Sequence, residues 1–198
     1  MPRRVAEERR AGILAAVAET LQEEGLPFPS YDRVADHAAL SRQLVRHYFP
    51  DPEELMVTTC RSVSAAYLAG IALHMEGAAP EAGLERLIDL CLIGGGEEVP
   101  PPVALESLIA LTRGSVALRG ALQKEIQALE AVFAAELARS HPALAEEGRQ
   151  ELAHLLVSHL LGHWTMTRTL ALRPAEIGAA RAAMRGIVAA YVDGPRPA

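Results

Sequence analysis

The sequence predicts an all-α protein of about nine helices, on the strength of three observations. Alanine and leucine dominate, asparagine is absent and only 4% of residues are aromatic, a composition that favours helix over sheet. Apolar residues recur at three- and four-residue spacing along most of the chain, the period of one helix face. Glycine and proline gather into a few short breakers between these periodic stretches. At 198 residues, half of them hydrophobic, the chain is long enough for one large or two modest domains with a substantial core.

The first periodic segment, 5–24, carries Ile13, Val17 and Leu21 on one face. From Ser30 to Glu54 the chain reads SYDRVADHAALSRQLVRHYFPDPEE. Ser30 is placed to cap a short helix with Val34 and Ala35 inward, and Ser41 to cap a second whose inward side is Leu44 or Val45 with Tyr48. Ala38, Ala39 and Leu40 form a three-residue turn between them, the spacing of a helix-turn-helix. Helices this short do not hold in water alone, so the first helix must buttress them.

Asp51-Pro52-Glu53-Glu54 starts a fourth helix, with Asp51 as cap, Pro52 at the first helical position and Glu54 placed for a capping box. It runs to about Met75, with Met56, Cys60, Val63, Tyr67 and Ile71 on one stripe. A fifth helix covers 81–93, and the loop 94–102, GGGEEVPPP, is the clearest break in the chain. Helix 6 is expected at 103–112, helix 7 at 119–139 and helix 8 at 144–172. Apolar residues surround nearly the whole of helix 8, which predicts burial on more than one side. Helix 9, 175–192, carries Ile177, Met184, Ile187, Val188 and Tyr191, and a second stripe of Gly178, Ala182, Gly186 and Ala190 that permits close helix approach.

The net charge of −6 argues against nucleic acid only until it is divided. Residues 1–50 hold seven arginines and seven acids, so the deficit lies entirely beyond them. Arg33, Arg42, Arg46 and His47 cluster around the turn, and phosphate binding requires a local basic face rather than a basic chain. Cys60 and Cys91 stand apart without a CxxC, which points to reduced thiols. No targeting segment is legible in 12–18, and the uncharged stretches 62–75 and 152–167 fall short of the about 18 to 20 apolar residues of a membrane span. A cytoplasmic protein with no membrane partner is the expectation.

The Ser30–Glu54 region resembles the TetR family of one-component bacterial transcription regulators. The resemblance rests on Val34-Ala35, Ala38-Ala39-Leu40-Ser41 and His47-Tyr48-Phe49-Pro50 running into Asp51-Pro52-Glu53-Glu54-Leu55, and it covers roughly residues 9–56. Three positions depart from the family's habit: Ala39 stands where glycine is usual, Arg46 where a phosphate-binding tyrosine is frequent, and Pro52 where a lysine often begins the fourth helix. The resemblance implies a three-helix DNA-binding domain over 1–50, an effector-binding and dimerisation domain over 51–198, and a repressor released by a small apolar effector. It also implies a homodimer through the helices near 144–172 and 174–192.

Within that frame Arg42, Gln43 and Leu44 at the start of the recognition helix are the expected base readers: Arg suits guanine O6 and N7, Gln suits adenine N6 and N7, and Leu suits a thymine methyl. Ser30, Tyr31, Arg33 and Arg46 are expected on phosphates, with His47 on phosphate or base and Tyr48 at the far end. The operator, double-stranded DNA, is expected to be an inverted repeat. For the effector, Tyr67, Leu108, Phe133 and Trp164, with Met56, Leu111 and Met166, are expected around a cavity, with Thr112, Arg113, His163 and Thr167 to orient the ligand. No cofactor is expected. The alternative is a helical-bundle metal protein or enzyme using Glu151, His154, His159 and His163, but a di-iron site wants a second Glu-x-x-His and further inward glutamates, and none occurs. Nucleophile elbows, phosphate loops and HExxH are missing as well, so no enzyme is expected.

Overall fold

The computed structural model describes residues 2–25, 27–93, 103–169 and 177–193. Among these residues every regular element is helical: α1 Pro2–Glu24, α2 Tyr31–His37, α3 Arg42–Tyr48, α4 Pro52–Met75, α5 Pro80–Ile93, α6 Val103–Leu111, α7 Val116–Ser140, α8 Glu146–Trp164 with a π-helical turn Thr165–Thr169, and α9 Ile177–Asp193. The all-α expectation of about nine helices is borne out. The helices form two compact units, one of Met1–Ala66 with Pro102–Glu125, the other of Tyr67–Pro101 with Ile126–Ala198. Helices α4 and α7 each contribute their first part to one unit and their remainder to the other.

The first unit is built on one face of α1. Ile13, Val17 and Leu21 are fully or almost fully buried, and so are Val34 and Ala35 of α2, Val45 of α3, Phe49, and Leu108 and Leu118 further along. Val45, not Leu44, is the inward residue of α3, while Leu44 and Tyr48 are only half-buried. Ser30 and Ser41 take the extended backbone of N-caps and accept hydrogen bonds from the amides of Arg33 and Leu44. Ala39 has φ +51°, the left-handed conformation that glycine adopts at lower cost.

Asp51 caps α4 by accepting from the Glu53 amide at 2.9 Å. The capping box does not form, because the flanking carboxylates are drawn elsewhere: Glu54 faces Arg10 at 3.3 Å and Glu53 accepts from the Ser115 hydroxyl at 2.5 Å. Ser115 also accepts from the Leu118 amide, which explains why α7 begins at Val116, three residues before the spacing suggested. By length and composition α4, with mean hydropathy 1.3 over an 18-residue window, is long and apolar enough to cross a membrane, with Arg61 standing just before its uncharged stretch 62–75. Its apolar side is used inside the protein, Leu55 and Cys60 in the first unit's core and Tyr67 and Ile71 in the second's.

The second unit packs Leu87, Ile88 and Leu92 of α5, Phe133 and Leu137 of α7, Leu152, Leu156, Leu160 and Trp164 of α8 and Met184 of α9 into one cluster. Two ion pairs join α9 to α5, Arg181 to Asp89 and Arg185 to Glu85, each at 2.5 Å. Both pairs are partly exposed and correspondingly weak, whereas burying Met184 contributes about 1.5 to 3 kcal/mol, so apolar contact holds α9 and the charges set its register. Gly83 lies against the buried carboxylate of Glu136, where a Cβ would overlap it. Helix α8 ends at Trp164, earlier than expected, and passes into the π-helical turn, which loosens the i→i−4 pattern. In the single chain Leu155 of α8 and Met166 of the π-helical turn are exposed. The loop 94–102 and the expected start of α9 at 175 lie outside the described residues.

The strain at Ala39 gives a stability prediction. Ala39→Gly relieves a positive φ and raises unfolding free energy by a few tenths to about 1 kcal/mol, since the gain is offset by a more flexible unfolded chain. Urea denaturation followed by circular dichroism measures it, and a loss of stability overturns the turn geometry.

Candidate nucleic-acid interface

The second helix of the pair, α3, presents a polar ridge. Arg42, Gln43, Arg46 and His47 are exposed, while Val45 on the opposite side is fully buried. With only two turns and one inward anchor, α3 leaves most of its side chains to solvent. Ser41 at its N-terminus adds a hydroxyl, and helix N-termini favour anions.

The expected readers come together on one helix, but several of the basic groups are already engaged. Arg42 pairs with Asp32 at 3.2 Å across the turn, and Arg33 pairs with Glu24 at the end of α1. Arg46 lies over the Tyr31 ring at 6.0 Å and His47 meets Tyr48 edge-on at 5.4 Å. Tyr31 donates its hydroxyl to the carbonyl of Phe49 at 2.7 Å, which fixes the segment leaving α3. Burial raises the Tyr31 phenol above 10.0, with Arg46 opposing, so it remains a donor at neutral pH. Gln43 is exposed on the outer face of α3.

Sequence reasoning missed Arg10. Its Nη1 donates to the Tyr48 carbonyl at 2.7 Å, its guanidinium lies 4.2 Å over the Phe49 ring, and its Nη2 reaches Glu54 at 3.3 Å. The signal was present, since Arg10 continues the stripe of Ile13, Val17 and Leu21 by one further turn.

The expected effector residues fall in different units. Leu108 is buried in the first, where Thr112 donates its hydroxyl to the Ile109 carbonyl at 2.7 Å and Arg113 is exposed. Tyr67, Phe133 and Trp164 belong to the core of the second, the Tyr67 and Trp164 rings meeting edge-on at 6.0 Å and the Trp164 indole donating to the Cys91 carbonyl at 3.1 Å. Thr167 donates to the His163 carbonyl. Cys60 and Cys91 are free, buried thiols, pushed up by burial to about 11 and about 12 respectively, and therefore unreactive. In the second unit a groove of about 450 Å³ between α5, the end of α7 and α9 is lined by Leu84, Glu85, His141, Arg185 and Val188. These residues come from two helices and the residue just beyond a third, with no motif to announce them. His154, meanwhile, pairs with Glu130 at 2.7 Å, and among the described residues no three His, Cys, Asp or Glu side chains converge on one point.

A capped short-helix pair, a three-residue turn and an exposed polar ridge together define a helix-turn-helix module. No protein-family model matches the chain. The HTH-type transcriptional regulator BetI of Burkholderia thailandensis is 34% identical over 84 residues, 41% of this chain and 43% of that protein, so the match spans less than half of each. A TetR transcription regulator from Haloarcula marismortui superposes with TM-score 0.76 at 20% identity, covering 94% of this chain and 97% of its own. A transcriptional regulator from Saccharomonospora viridis, solved with choline, gives TM-score 0.74 at 16% identity over 92% and 96%. These likenesses bear out the resemblance at the level of the fold: the chain has the all-helical fold of TetR regulators.

One pair in the module holds a histidine with a raised pKa. The His37 pKa is raised above 6.5, first by its hydrogen bond to Glu23 at 3.2 Å and then by the bond to the Arg33 carbonyl. Only the imidazolium donates from both nitrogens at once. A raised folded-state pKa means that the pair stabilises the fold below pH 6.5 and that this contribution is lost as pH rises through the raised value. Glu23→Gln lowers the His37 titration midpoint toward 6.5 in NMR spectra of the ring protons, and an unmoved midpoint overturns the assignment of cause.

Proposed function

We propose that the protein is a DNA-binding transcriptional regulator of the TetR type, acting as a homodimeric repressor, with residues 1–50 reading an operator and 51–198 binding an effector and dimerising. The observation that carries the proposal is the exposed ridge of α3 on a buried, capped helix-turn-helix. Arg42, Gln43 and Leu44 read bases; Ser30, Arg33 and Arg46 meet phosphates, with His47 and Tyr48 toward the far end. The ion pairs of Arg33 and Arg42 are exposed, and exposed pairs are worth only about 0.2 to 1 kcal/mol, so a phosphate or a guanine replaces Glu24 or Asp32 at small cost. Tyr31 meets a phosphate by turning its single hydroxyl proton from the Phe49 carbonyl to the phosphate oxygen.

Dimerisation through α8 and α9 is supported by their uncovered apolar surface. Leu155, Gly178, Ala182, Gly186 and Ala190 are exposed, and small residues four apart suit a closely crossing second helix. A two-fold dimer requires an inverted-repeat site with half-site centres about 34 to 36 Å apart or a multiple of it. The effector is a largely apolar small molecule held in the second unit near Tyr67, Phe133, His163, Trp164 and Thr167. The choline bound to the Saccharomonospora viridis protein supports a small organic ligand as the class.

Selection of bound duplexes from a random DNA pool tests the reading. The selected site has a dyad, and Gln43→Ala relaxes preference at one base step by about 1 to 3 kcal/mol, whereas Arg46→Ala weakens all sequences alike and lowers the salt slope by about one. A site without a dyad, or an Arg46→Ala protein with altered base preference and an unchanged slope, reverses the assignment.

The effector is tested separately. A hundredfold release from DNA requires a coupling of about 2.7 kcal/mol. Compounds that raise the melting temperature in a thermal-shift screen of hydrophobic metabolites and drugs are expected to change Trp164 fluorescence and lower operator affinity together. A stabilising binder that leaves operator affinity unchanged breaks the coupling.

A further inference from the structure

The last carbonyls of any helix lack intrahelical partners, and a helix of two turns has a large share of its backbone in that condition. Glycine in the left-handed conformation commonly resolves it at a C-terminus. The C-cap after α3 is Phe49, at φ −137° and ψ 81°, and no glycine follows before α4. The carbonyls of Tyr48 and Phe49 are instead met by side chains from far along the chain, Arg10 on the first at 2.7 Å and Tyr31 on the second at 2.7 Å.

Arg10 does more than cap. Its guanidinium also stacks 4.2 Å over the buried Phe49 ring and extends its other nitrogen to Glu54 in the first turn of α4, at 3.3 Å. A planar fork suits this task, because one rigid group presents donors in two directions while its face rests on an aromatic ring. A cation also favours a helix C-terminus electrostatically. One side chain of α1 thus touches the end of α3, the aromatic residue after it and the start of α4, all within the first unit.

We infer that Arg10 is a positioning residue for DNA reading, which locks the recognition helix to α4 through the Tyr48 carbonyl, the Phe49 ring and Glu54. The inference rests on the DNA-reading assignment of α3. Operator affinity depends on α3 being held in one orientation before binding, since a reading helix that must be ordered on contact binds more weakly by the fraction of time it is out of place. Arg10 therefore acts through α3 rather than on the duplex.

The full-length protein tests this with the duplex selected by the wild type. Arg10→Met is expected to speed amide hydrogen exchange across 45–49 while leaving Val17 and Leu21 of α1 protected as before. It is expected to lower affinity about tenfold, the scale of a lost hydrogen bond to a charged group, with an unchanged slope of log K against log salt. Arg10→Lys, which keeps one donor and the charge, recovers part of both. Glu54→Gln leaves the cap in place and produces a smaller change of the same kind, which keeps the test decisive should Arg10→Met fail to fold. Unchanged exchange at 45–49 overturns the brace, and a slope lowered by about one shows that Arg10 contacts a phosphate instead. A wild-type protein that selects no duplex would overturn the DNA-reading assignment, and the exchange measurement would still decide whether Arg10 holds α3.

Discussion

The N-terminal unit depends on the inability of two seven-residue helices to stand alone. Helix nucleation costs more than two turns return, so α2 and α3 exist only because α1 gives them a surface to bury against. Ile13, Val17 and Leu21 supply that surface, and Val34, Val45 and Phe49 use it. Everything exposed on the outer side of α3 follows from this arrangement. A helix with one fully buried residue in seven has its remaining positions free for chemistry, and their direction is set by how firmly that one anchor and the helix ends are held.

Holding the ends falls to polar groups. Ser30 and Ser41 satisfy amides at the two N-termini, while Arg10 and Tyr31 satisfy carbonyls beyond the C-terminus of α3. A hydrogen bond contributes about 0.5 to 1.5 kcal/mol net, less than burying an aliphatic side chain, so these bonds add modestly to stability. Their value is directional. Apolar contact at Val45 permits α3 to roll or slide, whereas a bond to a particular carbonyl does not. The same division of labour appears at α9, where Met184 is buried and Arg181 and Arg185 pair with fixed carboxylates on α5.

How much of this could be read from the sequence depends on the range of the interaction that decides it. The N-caps, the turn at Ala39, the start of α4 and the helical class follow from residues within one turn of each other, and the sequence displays such relations directly. Interactions across dozens of positions stayed hidden. The capping box expected at Glu54 is replaced by a partner 44 residues earlier, and the start of α7 is set by a serine bound to Glu53, 62 residues away. The reading of α3 as a polar ridge was legible because exposure follows from period alone; that Arg33 and Arg42 meet Glu24 and Asp32 was not, because helix packing chooses those partners. At α8, apolar on most sides, the single chain leaves Leu155 uncovered, a face that helix period alone does not assign to any neighbour.

The departure at Ala39 shows how little local optimality the module needs. A left-handed alanine costs about 1 kcal/mol relative to glycine, comparable with the contribution of one capping serine. The turn is retained because the surroundings over-determine it: the Leu40 amide donates to the Ala35 carbonyl at 2.9 Å, the Ala39 amide to Asp36 at 3.2 Å, and buried side chains on both flanking helices fix where the chain must re-enter. Strain at one residue is absorbed when the helices on either side cannot move to relieve it. The same rigidity leaves α3 in one orientation, because its entry, anchor and exit are each held by a different neighbour.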